Sequence, residues 1–526
     1  MLNRKLISIS AMVMLLTSFF TVPAQATTQQ PSLRRWCWIS GTPRFDNEAY
    51  LRKYKGMKPD TGNPWTIIVS DDYLGVEYPQ DFDLILEGVH GRIWVGLNDS
   101  ITLTNGTVVS DYQDDEGNLH FFYPWTDTGI SDPAPYHPPG YHDVISMERL
   151  SYMLQQFDEV IYPTDTTYFG MPEERPPGNT KIDILIFNIR DEVFWSPETA
   201  PYYIGGYFSS AVSLLNNRNI IHVDTYIGPL SYPYETVVAH EFQHLIHFDV
   251  DSDEELWVDE GCADFAIFLC GYGHPADHIA YYLVYHPLTS LTFWGGGLED
   301  YGASYLFILY LSEHYGGAEM ISDLVENSLN GIEGIENTLA THGYTITFDG
   351  VFQNWAIANY IDEISIGNGE YGYFTLDIPS PDTRGLSIEY ALYNLWQVPE
   401  IGRGFGLSAS VWPGLVRPYT ANYWRFGFKP AGYEANLLYE GDAESGTLAN
   451  DWKGTVIDVT GYAAYRRTFT GRKVNFKPVM LYNVWHIMSG SLTIPKEHVN
   501  KGHLFVAIFW NAAPHLLPGD YWFYAY

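Results

Sequence analysis

The chain has 526 residues, 46% of them hydrophobic, with 28 Lys and Arg against 63 Asp and Glu and a formal net charge of −35. This apolar content excludes disorder as the main state, and the length suggests roughly two to four domains. A nucleic-acid partner is excluded too, because a duplex binder needs a concentrated positive face that so few cations do not provide.

In chain order, residues 1–26 read as a signal peptide. Arg4 and Lys5 precede an apolar run from Leu6 to Phe20, and Ala24-Gln-Ala26 offers small residues for cleavage after Ala26. A secreted, extracellular protein is the expectation. No later run of about 18 apolar residues occurs, so no membrane span is expected after cleavage. Residues 27–140 carry short strand-like pieces such as Arg92-Ile-Trp-Val-Gly-Leu97 and read as a β-rich region, either a propeptide or a permanent lid. A Pro-rich break at 132–140 closes it.

Residues 141–379 read as α+β, strands first and helices later. Asp143 to Tyr162 has helical spacing, and Lys181 to Asn188 reads as a strand. Tyr202-Tyr-Ile-Gly-Gly-Tyr-Phe-Ser209 reads as a flexible Gly-rich loop. Asn219 to Asp224 reads as a second strand, expected at the sheet edge above a cleft, where an extended peptide could pair with it. Helical patterns follow at 234–248, 255–270, 302–315, 318–329 and near 350–362. Residues 380–526 alternate polar and apolar between turn residues and read as an all-β sandwich. The three cysteines, Cys37, Cys262 and Cys270, are too few for a disulfide scaffold and read as small buried hydrophobes.

The sharpest signal is His240-Glu-Phe-Gln-His244. In a helix, residues i and i+4 stack one turn apart, so His240 and His244 can bind one metal ion. Glu241 stands beside that face, where it can take a proton from the attacking water. Catalytic zinc uses three protein ligands, and Glu260, in Leu256-Trp-Val-Asp-Glu-Gly-Cys-Ala-Asp264, supplies a third. Asp264, four residues on and on the same helical face, can accept the second ring N–H of a ligand histidine and fix its tautomer.

His-Glu-x-x-His followed by Trp-x-x-Glu-Gly-x-Ala resembles the gluzincin branch of zinc metallopeptidases. Phrases such as Phe157-Asp-Glu-Val-Ile-Tyr-Pro163, Gly206-Tyr-Phe-Ser-Ser210 and Asn354-Trp-Ala-Ile-Ala-Asn-Tyr360 resemble exported immune inhibitor A-like and hyicolysin-like peptidases. The resemblance spans about 140–365 and implies a zincin-like catalytic domain. It also implies that Tyr301, opening a later helix, points at the oxyanion, although core packing of that tyrosine is an equal reading. Tyr305 and His314 follow on the same helix. The metzincin pattern is not met, because His247 and Phe248 stand where it needs other residues. The acidic run Asp249 to Glu255 has oxygens at alternating positions but no glycine, and reads as a solvated loop with a calcium site as the alternative. The expectation is a secreted zinc metallopeptidase acting on a peptide or protein substrate. The rival reading is a secreted binding protein whose metal site is structural and whose function lies in the C-terminal sandwich.

Overall fold

The structure is a computed structural model. It describes residues 37–97 except 61, short strands between 100 and 145, residues 147–195, 202–224 and 234–378, and strands with adjoining residues between 409 and 525. The signal-peptide region, the Pro-rich break and the 380–408 segment lie outside the described residues.

The centre is a seven-stranded mixed sheet. Its strands are β1 (Trp38–Ser40), β2 (Trp65–Asp71), β3 (Val76–Glu87), β4 (Gly91–Leu97), β5 (Ile182–Phe187), β6 (Tyr203–Phe208) and β7 (Asn219–Asp224). The order across the sheet is β1-β6-β7-β5-β4-β3-β2. β4, β5 and β7 run parallel, and β6 is antiparallel to β7. β1 lies parallel to β6 at the edge.

Successive side chains of a strand face opposite sides, and both sides of the sheet are covered at β5, β6 and β7, whose residues are all buried. Ile182, Ile184 and Ile186 of β5 enter one core, while Leu185 and Phe187 enter the other. Each fully buried isoleucine contributes roughly 1.5–3 kcal/mol of transfer free energy, which pins the register of β5. The first core is shared with α2 (Met147–Gln156), α5 (Tyr234–Val250), α6 (Leu256–Leu269), α7 (Ala276–Tyr285), α8 (Leu298–His314) and α11 (Phe348–Ile361). The second is closed by α1 (Asn47–Tyr54) and α4 (Ser210–Asn216). A π-turn at Phe157–Ile161 separates α2 from α3 (Tyr162–Tyr168), and α9 (Ala318–Val325) and α10 (Gly331–Thr341) precede α11. The described molecule is thus a mixed α/β protein.

β2, β3 and β4, from the 27–140 region, hydrogen-bond into the same sheet as β5. Two expectations are corrected. Asn219–Asp224 is interior, with β5 on one side and β6 on the other. The Gly-rich 202–209 segment is strand β6, not a loop. A Cβ on Gly206 would stand 2.6 Å from Cγ1 of Val237 and 3.0 Å from Cγ of Glu241, so the glycine permits close approach of α5.

α5 has no Pro or Gly, and residues 234–247 of it are buried. α6 tolerates Gly261 because a Cβ there would lie 2.9 Å from the Ser304 carbonyl oxygen of α8. That close crossing aims the polar side of α6 at α5. Beyond 408, the described strands pair antiparallel in a two-stranded hairpin and two four-stranded sheets, the second of which contains Leu504–Asn511. Trp510 of the second packs 5.5 Å, ring to ring, from Phe352 of α11. Cys262 and Cys270 are buried, and none of the three cysteines forms a disulfide.

Candidate metal centre

α5 presents His240, Glu241 and His244, and α6 presents Asp259, Glu260 and Asp264. Nε2 of His240 lies 3.1 Å from Nε2 of His244 and 3.1 Å from Oε2 of Glu260. The same Glu260 oxygen stands 3.4 Å from Nε2 of His244. All three side chains are buried, and the group can hold a metal ion.

The histidine tautomers follow from their outer partners. Nδ1 of His240 donates to Oδ1 of Asp264 at 3.0 Å, and Nδ1 of His244 lies 2.9 Å from Oδ2 of Asp259. With a carboxylate at each Nδ1, both Nε2 lone pairs turn inward toward the Glu260 carboxylate. Three electron-rich atoms converging among buried side chains favour positive charge among them. Oε1 of Glu260 is also buried without a partner among the described residues. The donor set therefore fits a cation.

Proton affinities show the same demand. Burial alone pushes the His240 imidazole down, but Asp264 and Glu260 outweigh it and raise it to about 9. Burial likewise opposes the charged form of His244, and Asp259 and Glu260 hold it well above the usual histidine range. Burial pushes Asp264 up, yet His278 and His240 bring it down to about 2.

The structure brings His240, His244, Glu260, Glu241 and Asp264 together as the sequence suggests. It adds residues that sequence reasoning missed, Asp259 and His278 among them. Asp259 bridges Nδ1 of His244 and, at 2.8 Å, Nδ1 of His247. His278, on α7, bonds through Nδ1 to Oδ2 of Asp264 at 2.7 Å and through Nε2 to the Trp38 carbonyl at 3.0 Å. Two acceptors require two protons, so this ring is an imidazolium. Asp259 adjoins a proposed ligand and could have been suspected from that. Nothing in the sequence links His278 to the dyad.

Glu241 is fully buried, and burial raises its pKa. Its Oε2 accepts from the Thr42 hydroxyl at 2.9 Å and the Ser40 hydroxyl at 3.2 Å. Oε1 has no partner among the described residues. Tyr301 is placed beside the centre, its ring 6.3 Å from that of His240. Its hydroxyl, expected at the oxyanion, instead donates to the Ser40 carbonyl at 3.0 Å and accepts from the Ser40 N–H at 3.1 Å. Tyr305 and His314 lie apart from the group: Tyr305 bonds His274 and His314 bonds the Gly372 carbonyl. In the acidic run, Asp249 is bound by Arg175, and Glu254 accepts from the Gly331 N–H.

The outer carboxylates give a direct test of this arrangement. Asp264→Asn and Asp259→Asn are each expected to weaken metal affinity about 10- to 100-fold, the range for groups that orient a ligand histidine. Competitive chelator titration reads the change, and an unchanged affinity in both contradicts the roles assigned here. No protein-family model matches the chain, and no curated protein matches it.

Proposed function

We propose that this chain is a secreted zinc metallopeptidase of the gluzincin kind, with a zincin-like catalytic unit and a C-terminal β-sandwich. The observation that carries the reading is a buried His-His-Glu group with a second, half-unpartnered carboxylate beside it. Zinc suits two imidazoles and one carboxylate. Ligand atoms about 2.0–2.1 Å from a tetrahedral zinc stand roughly 3.3 Å from one another, and the separations here are 3.1, 3.1 and 3.4 Å.

When bound, zinc polarises the scissile carbonyl and acidifies a water molecule. Oε1 of Glu241, which has no partner among the described residues, is the atom that takes the water's proton and returns it to the leaving nitrogen. Asp264 and Asp259 hold the ligand imidazoles with Nε2 inward. The same residues argue against a purely structural site, which has no use for an unpartnered buried carboxylate oxygen next to the ligands.

Casein cleavage before and after metal removal tests the proposal. Cleavage is expected to stop with a chelator and return with zinc. Cleavage that persists in fully stripped protein contradicts it.

A further inference from the structure

The centre is closed: His240, Glu241 and Glu260 are 0% exposed and Tyr301 is 1% exposed. Strand β1 and the turn after it touch most of the groups that the reaction needs. The Trp38 indole stands edge-on to the His240 ring at 5.1 Å, and its carbonyl receives the proton of His278. The Ser40 backbone uses both hydrogen-bonding capacities of the Tyr301 hydroxyl. The Ser40 and Thr42 hydroxyls both address Glu241. Each hydroxyl oxygen itself accepts from a backbone N–H, Thr42 N to Ser40 and Phe208 N to Thr42, so its own proton is committed to the carboxylate.

β1 is held by burial more than by its ladder: Trp38, Ile39 and Ser40 are 0–2% exposed, so an occupant that replaces them must cover the same surface. The strand has three residues, lies at the sheet edge, and its pairing with β6 slips between Ile39 and Ser40, passing over Gly205. A bulge interrupts a ladder locally and weakens it there. Its removal would expose β6, the strand beside α5 whose Gly206 lies against Glu241. An exposed edge is the ordinary docking place for an extended peptide.

On the reading of the centre as a metallopeptidase, we infer that residues 38–42 are a displaceable occupant of the substrate groove: they latch Glu241 and Tyr301 shut, and an extended polypeptide takes their place beside β6. No atom of this segment belongs to the group that can hold the metal, so the latch acts on the base and the phenol. Release needs no covalent step.

The test begins by measuring zinc in the purified wild-type protein, because absence of zinc there overturns the reading of the centre itself. Ser40→Ala combined with Thr42→Val then removes only the hydroxyls. Zinc transfer from this variant to a colorimetric chelator should be roughly 10-fold or more faster than from wild type, as the loss of charge-assisted bonds implies. Turnover of casein per bound zinc should rise. Zinc transfer at the wild-type rate with turnover unchanged or lowered overturns the latch and makes the hydroxyls permanent positioning groups for Glu241. Hydrogen exchange on the wild-type chain gives a second reading that needs no variant. A zinc-binding peptide hydroxamate should speed exchange of the Ser40 and Gly41 amides, which in the closed form donate to Tyr301 and Gly206, while leaving β5 protected. Unchanged protection at Ser40 and Gly41 with the hydroxamate bound also overturns the latch.

Discussion

Glu241→Gln is expected to lower casein turnover by roughly 100- to 10,000-fold, the span general-base catalysis supplies. Glutamine preserves the shape, and its carbonyl oxygen can still accept from Ser40 and Thr42. What it lacks is basicity at the position of Oε1. Zinc content should therefore remain at about one per chain, since Glu241 is not among the three inward-facing ligand atoms. Thermal stability should hold or rise, because the substitution removes a carboxylate whose ionisation burial already opposes. Metal analysis and a melting curve on the same sample separate loss of chemistry from loss of structure. Turnover near that of wild type shows that this carboxylate is not the base.

His244→Ala is the second large effect. The substitution removes one inward Nε2 and leaves Glu260 and Asp259 facing a void among buried groups. Zinc should fall from about one per chain to none after dialysis, as expected when a three-ligand site is cut to two. A metal held only by the folded chain would also stabilise it, by about 4 kcal/mol at 1,000 times its Kd. A chelator should accordingly lower the melting temperature of wild type and leave that of His244→Ala unchanged. Full zinc occupancy in the variant removes His244 from the ligand set.

The parts of this site written within one helix were legible. The i, i+4 spacing of His240 and His244, and of Glu260 and Asp264, is a local property that helical geometry converts directly into a shared face. The helices also declared themselves through long apolar patterns, and α5 and α6 lie within two residues of the expected bounds. What was not legible depends on contacts between distant segments. Tyr202 to Ser209 carries two adjacent glycines and reads as a loop, but those glycines answer to α5 and β1 packing against the strand. A Cβ on Gly205 would lie 3.1 Å from that of Trp38, a constraint invisible in the local sequence. α7 was missed behind Gly271, Gly273 and Pro275, and His278 went with it.

Ser40 and Thr42 illustrate the deeper limit. They stand 201 and 199 residues before Glu241, in a short segment with no pattern of its own. Their roles arise because β1 is appended to the far edge of a sheet whose other strands are set by β5. Tyr301 shows the converse case: its place on α8 was legible, but the partner of its hydroxyl was not.

Anomalous X-ray scattering at the zinc edge, recorded from crystals of the purified protein, tests the central claim most directly. A single strong peak is predicted within coordination distance of Nε2 of His240, Nε2 of His244 and the Glu260 carboxylate. A crystal grown with zinc present that shows no peak there, or shows one only elsewhere on the chain, contradicts the account.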